Sequence, residues 1–124
     1  MTIKSSYAKL PAKDVERAKK FWADHFGLQP VSDVDAHVRY DVAGTTLLVF
    51  LSSGSPSGDH DQFGLVVDDA EAEIDRLKKE GVVFPRFEGE GIREDGIMDL
   101  GFMKAAWFTD SEGNLISIAQ FNQS

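Results

Sequence analysis

One order of signals occurs twice along this chain: an alternating apolar run, a capped helix closed by glycine, a short run broken by proline, and a hairpin. The first copy puts Asp14 at a helix start and Gly44 in a hairpin turn, and the second puts Asp69 and Gly113 in the same roles. Asp14 and Asp69 are 55 residues apart and Gly44 and Gly113 are 69 apart, so the second copy holds 14 more residues (69 − 55), which fall in the Gly-rich stretch 88–103. A repeat of this kind in 124 residues predicts one domain, 1–124, of α+β class, built from two βαβββ halves that share a core. The expected boundaries are module 1 at 1–53, a small polar linker (SPSGDH and its neighbours) at 54–61, and module 2 at 62–124.

In the first copy, Ile3–Leu10 alternates as a strand that Pro11 ends. Asp14 is a suitable N-cap, Val15, Ala18, Phe21/Trp22 and Phe26 share a helix face, and Gly27 stops the helix. Leu28–Val34, interrupted by Pro30, reads as an edge strand. Ala36–Val42 and Thr45–Leu51 form a hairpin around Ala43-Gly44, which pairs Arg39 with Leu48 and His37 with Phe50. One face is then Val38, Tyr40, Val42, Leu47, Val49 and Leu51, a core face; the other is His37, Arg39, Asp41, Thr46, Leu48 and Phe50, a candidate pocket wall.

In the second copy, Gln62–Val67 is a predicted strand and Asp68 or Asp69 caps a helix, with Glu71 available for a capping box. Val82–Phe87 is a further strand, and 88–103 is a loop of a length that often serves as a lid. In AAWFTDSEGNLISIAQF, Ala105–Phe121, two β-rich runs flank Asp110–Asn114, so Trp107 faces Ser117. Trp107, Ser117 and Ala119 share a mixed face that suits a pocket, while Phe108, Ile116 and Ile118 share a core face.

Composition narrows the partners. Twenty-one acidic against 13 basic residues leave a net charge of −8, which argues against nucleic acid and favours neutral or cationic small ligands, though a local Arg can override the average. There are no cysteines, hence no disulfide, thiolate metal site or cysteine nucleophile. No apolar run has the length of a membrane span and MTIKSSYAK has no signal-peptide core, so a cytoplasmic protein without a membrane partner is expected.

Three stretches, KDVERAKKFWADHFGLQPV, VVDDAEAEIDRLKKEGVVF and FTDSEGNLISI, together with the repeat, resemble the vicinal oxygen chelate superfamily: glyoxalase I, extradiol dioxygenases, and the fosfomycin- and bleomycin-resistance proteins. The last stretch is similar to that family's F-x-D-P-D-G-N-x-[IL]-E-[IL] signature. The resemblance implies tandem modules forming a cup-shaped mixed sheet with helices outside, and association as a homodimer. Metal-dependent members line the cup with four His, Glu or Gln ligands. Carried over one at a time, those positions are Tyr7, Leu48, Gln62 and Ser117, and of these Gln62 alone is a ligand type. No carboxylate occurs in 45–53 or 115–120, so a shifted alignment supplies none.

The expectation is therefore a ligand-binding protein of the bleomycin-resistance type, associated with antibiotic resistance, with no metal and no cofactor. It sequesters or carries a small aromatic or cationic molecule. Its ligand-binding residues are expected among Tyr7, His37, Arg39, Leu48, Phe50, Gln62, Trp107 and Ser117. Tyr7, Phe50 and Trp107 serve either as an aromatic clamp or as bulky filler. Arg39 either binds a ligand carboxylate or phosphate or pairs with Asp41 or an acid of the loop. His60 is read as an exposed loop residue, the other reading being a metal site with Gln62 and His37; His25 is a helix-end residue complementing the dipole. The loop acids Glu88, Glu90, Glu94, Asp95 and Asp99 either attract a cation or are simply solvated. An enzyme of the superfamily is the alternative: a glyoxalase-type isomerase or lyase, or a dioxygenase, with an atypical metal set or with Tyr7 or His37 as acid–base groups. A domain whose function is association is the third reading.

Overall fold

Ten elements follow one another in the computed structural model, which describes residues 1–56 and 60–122. They are β1 (Ala8–Ala12), α1 (Val15–Phe26), β2 (Ser32–Val34), β3 (His37–Val42), β4 (Thr45–Leu51), β5 (Phe63–Val66), α2 (Ala70–Lys79), β6 (Met98–Asp99), β7 (Met103–Thr109) and β8 (Leu115–Phe121). They build two four-stranded mixed sheets of the same topology, β1-β4-β3-β2 and β5-β8-β7-β6, with β1 parallel to β4 and β5 parallel to β8. The fold is α+β, and the repeat read in the sequence is a repeat of structure. The part of the expected linker at 57–59 lies outside the described residues.

The chain divides into two compact units, Met1–Ser57 with Ser111–Asn114, and Gly58–Asp110 with Leu115–Ser124. In the first, Asp14 caps α1 by accepting from the Arg17 N–H at 3.0 Å, and Gly27 closes the helix at φ 66°. Ala18 and Trp22 are the buried positions of α1, lying one turn apart on the face set against β4. The hairpin register is the expected one, Arg39 opposite Leu48 and His37 opposite Phe50. Its two-residue turn has φ 50° at Ala43 and 92° at Gly44, the twist that right-handed strands demand. Val38, Tyr40, Leu47 and Val49 are buried under the helix.

In the second unit, Ala70, Ile74 and Leu77 of α2 are buried against β7 and β8, whose inward residues Phe108, Ile116 and Ile118 are at most 1 % exposed. Trp107 pairs with Ser117 and Thr109 with Leu115, so the loop is Asp110–Asn114 as expected.

Leu51, expected on the core face, is exposed at the end of β4, and the strand expected at 28–34 begins only at Ser32, past Pro30; four further local expectations fail, each for a physical reason. The first strand begins at Ala8 and runs through Pro11, because β1 is an edge strand and Pro11, opposite Phe50, needs no donor on its open side. Asp69, not Asp68, is the N-cap of α2 and bonds the Ala72 N–H, which leaves Glu71 one position short of a capping box. Val82–Phe87 forms no strand; it makes a single bridge, Val83 to Thr109, and the fourth strand of its sheet is β6 inside the extra stretch. That stretch is consequently no free lid: Ile92 bridges Met98, and β6 is zipped to β7.

Candidate ligand pockets

The face of β7 and β8 turned away from α2 carries Ala105, Trp107, Ser117 and Ala119, and a recess opens over it. Its floor is low because the side chains are small. Gly64 of β5 lies opposite Ser117, and a Cβ at Gly64 would stand 2.9 Å from the Ser117 hydroxyl. Two adjoining cavities of about 300 and 370 Å³ share Asp61, Met98 and Trp107. In the larger, Phe87 stands edge-on to Trp107, with centroids 5.4 Å apart and planes at 72°. Ile92, Met98 and Leu115 complete the apolar wall, while His60, Asp61, Glu88 and Glu90 line the polar side. Glu88 is paired with Arg86 at 2.9 Å; Asp61 and Glu90 have no ion-pair partner among the described residues.

Phe87 reaches this site although its segment is not a strand, because Phe84, three residues earlier, is packed against Phe108 on the other face, centroids 5.6 Å apart. Ile92 and Met98 are held by ion pairs of the extra stretch. Arg93 bonds Glu71 of α2 at 2.6 Å, bonds Asp95, and lies 3.8 Å from Asp99, and Lys104 of β7 bonds the other Glu71 oxygen at 3.0 Å. Hydrogen bonds from Arg93 and then Lys104 hold the Glu71 carboxyl below its ordinary range. Each pair is partly exposed and worth roughly 0.2–1 kcal/mol. Arg93→Ala is therefore expected to leave the melting temperature nearly unchanged yet to speed amide exchange at Ile97 and Asp99 about tenfold, as measured by hydrogen–deuterium exchange.

In the first unit, Tyr7, Arg39 and Leu48 line a cavity of about 340 Å³ with Ser5, Ser6 and Thr46. Phe50, next along this face, has the Lys9 ammonium 4.4 Å from its ring centre. His37 is exposed; its Nδ1 lies 2.8 Å from the Asp35 carbonyl, an acceptor, so Nδ1–H donates and Nε2 is left as the free nitrogen. Tyr7, Arg39 and Leu48 are thus brought together, as are Trp107 and Ser117, whereas His37, Phe50 and Gln62 line none of these three cavities. Gln62 donates its backbone N–H to Leu115, and its side-chain oxygen is buried without a hydrogen-bond partner.

The donors at the four positions carried over from the metal-dependent family members do not fit a divalent ion. Leu48 offers no donor atom, Tyr7 is a phenol 57 % exposed, and Ser117 and Gln62 are neutral. Among the described residues no three His, Asp or Glu side chains are gathered as ligands.

Several lining residues escaped the sequence reading. Phe87 lay in a run expected to be a strand, Ile92 and Met98 in a loop, and His60 was expected to be merely exposed. The one available signal was the presence of apolar residues, Ile92, Ile97 and Met98, inside a Gly-rich stretch.

The chain belongs to the Glyoxalase/Bleomycin resistance protein/Dioxygenase superfamily, whose family profile matches residues 4–118. Among solved structures it is similar to UcmS2 (TM-score 0.74, 18 % identity, covering 96 % of this chain and 98 % of that one). It is also similar to the genomically encoded fosfomycin resistance protein FosX from Listeria monocytogenes (0.71, 16 %, covering 98 % and 96 %). A third is TnmS3, an antibiotic binding protein from Streptomyces sp. CB03234 (0.70, 23 %, covering 98 % and 100 %). At these identities the likeness is one of fold. No curated protein sequence matches the chain.

Proposed function

We propose that the protein binds a small molecule that is aromatic, cationic or both, in the recess beside Trp107, and that it sequesters or carries it. The observation that carries this reading is that the Phe87–Trp107 pair lines one cavity together with Asp61 and Glu90. Ring faces accept a planar ligand or a cation, and two carboxylates without cationic partners among the described residues complement positive charge. The net charge of −8 works in the same direction over longer range. The description of TnmS3 as antibiotic binding and of FosX as a fosfomycin resistance protein supports a small-molecule role in antibiotic resistance. In this reading Ser117, on the floor beside Trp107, contacts the ligand. The protein acts in the cytoplasm as a homodimer, a second copy covering exposed apolar side chains such as Val34 on edge strand β2 and Val66 on edge strand β5.

Trp107→Ala is expected to weaken binding of a cationic aromatic compound about 30-fold, or ~2 kcal/mol, in isothermal titration calorimetry. Unchanged affinity in that variant excludes this recess as the site.

A further inference from the structure

The cavity of the first unit has the opposite chemistry, and we propose that it binds an oxyanion, the carboxylate or phosphate group of a small molecule, centred on Arg39. The chain has five arginines. Arg17, Arg76, Arg86 and Arg93 each hold a carboxylate, while Arg39 has neither an ion pair nor a side-chain hydrogen bond among the described residues. In a protein with eight more acids than bases, a guanidinium left without an acid is the exception. Its surroundings are hydroxyls: Ser5, Ser6, Tyr7 and Thr46 line the same cavity of about 340 Å³ with Leu48, and among the described residues no carboxylate lines it.

Register adds a second cation. Lys9, Leu48 and Arg39 stand in one row across β1, β4 and β3, so both basic side chains rise from the same face on either side of Leu48. With neighbouring strands about 4.8 Å apart, Lys9 and Arg39 lie about 10 Å apart at the backbone, within reach of one ligand by two long side chains. Lys9 also has no ion pair among the described residues, and its ammonium rests over Phe50. Asp41, the acid on this face, is turned to its own hairpin, where it accepts the Gly44 N–H at 2.9 Å. A guanidinium fork meets a carboxylate or phosphate with two parallel hydrogen bonds, and the surrounding hydroxyls are donors for the remaining oxygens.

Inorganic phosphate and acetate, each titrated against a chloride-matched control, are the probes, with backbone amide chemical shifts as the readout. Saturable shifts at Ser5–Tyr7, Arg39 and Thr46 are expected in at least one of the two titrations. Tighter phosphate marks a phosphoryl-bearing ligand, and acetate equal or tighter marks a carboxylate. Arg39→Gln is expected to weaken binding about tenfold or more, and Arg39→Lys to restore part of it, since lysine keeps the charge but not the fork. Shifts that stay linear with both anions, or that are the same in Arg39→Gln, overturn the proposal.

Discussion

Phe108→Ala is expected to lower the free energy of unfolding by about 3–5 kcal/mol, while Trp107→Ala, one residue earlier, costs about 1–2 kcal/mol. Phe108 has no exposed surface, pairs across the hairpin with Ile116 and packs on Phe84 beneath α2. Its removal leaves a cavity that close-packed neighbours cannot fill, and the loss is a large share of the ~5–15 kcal/mol that holds a domain of this size. Trp107 points to the opposite face, is part exposed and borders open space, so its truncation creates little new void. Urea denaturation of the two variants measures the difference directly. Equal losses would mean that the two faces are not divided into core and pocket as described.

The second large effect falls on Glu112, in the tip of the last hairpin. Its side chain is 2 % exposed and accepts from the Lys13 and Asp14 N–H groups, both at 3.0 Å, and from Nε and Nη2 of the Arg17 guanidinium at 2.7 and 2.9 Å. It therefore supplements the cap of α1 from a residue almost one hundred positions away in sequence. Asn114 of the same loop donates to the Pro11 carbonyl at 2.9 Å, which is why Ser111–Asn114 belongs with the first unit. Burial alone would raise the Glu112 carboxyl, but hydrogen bonds from Arg17, the Asp14 N–H and the Ser111 hydroxyl outweigh it and bring it down to about 2.

A carboxyl whose folded pKa is depressed stabilises fully above its unfolded value and loses that contribution as pH falls through the folded one. The contribution of Glu112 is thus complete above about pH 5 and fades between there and pH 2. Glu112→Gln is expected to cost about 2–3 kcal/mol at neutral pH, less than a fully buried pair because Arg17 is half exposed and is not stranded. The gap from wild type should close as pH falls from 5 to 2 in thermal denaturation. A gap that is constant with pH would assign the loss to packing and not to the charge.

Glu112 also marks the limit of what the sequence shows. Residues 110–114 were readable as a turn, since Gly113 and Asn114 suit its backbone, but a long-range partner leaves no local pattern. Registers were legible wherever a short turn fixed them, as at Ala43-Gly44, because a period of two then assigns every side chain to a face. Helix limits followed from Asp14, Gly27 and Asp69 for the same local reason. The extra stretch was not legible, because β6 is two residues long and owes its place to Arg93, Lys104 and Glu71. The candidate site was half visible: Trp107 and Ser117 followed from parity, whereas Phe87, Ile92 and Met98 depend on how that stretch lies against the sheet.

The most direct test of the proposed role is a titration with benzyltrimethylammonium, a compact ligand that is both aromatic and cationic, followed by amide and indole chemical shifts. The protein supplies its own control, since Trp22 is fully buried while Trp107 borders the recess. Saturable shifts of the Trp107 indole N–H and of the Asp61 and Phe87–Glu90 amides, with Trp22 unmoved, are the predicted result. No saturable shift, or shifts confined to other parts of the chain, would contradict a cation- and ring-binding site beside Trp107.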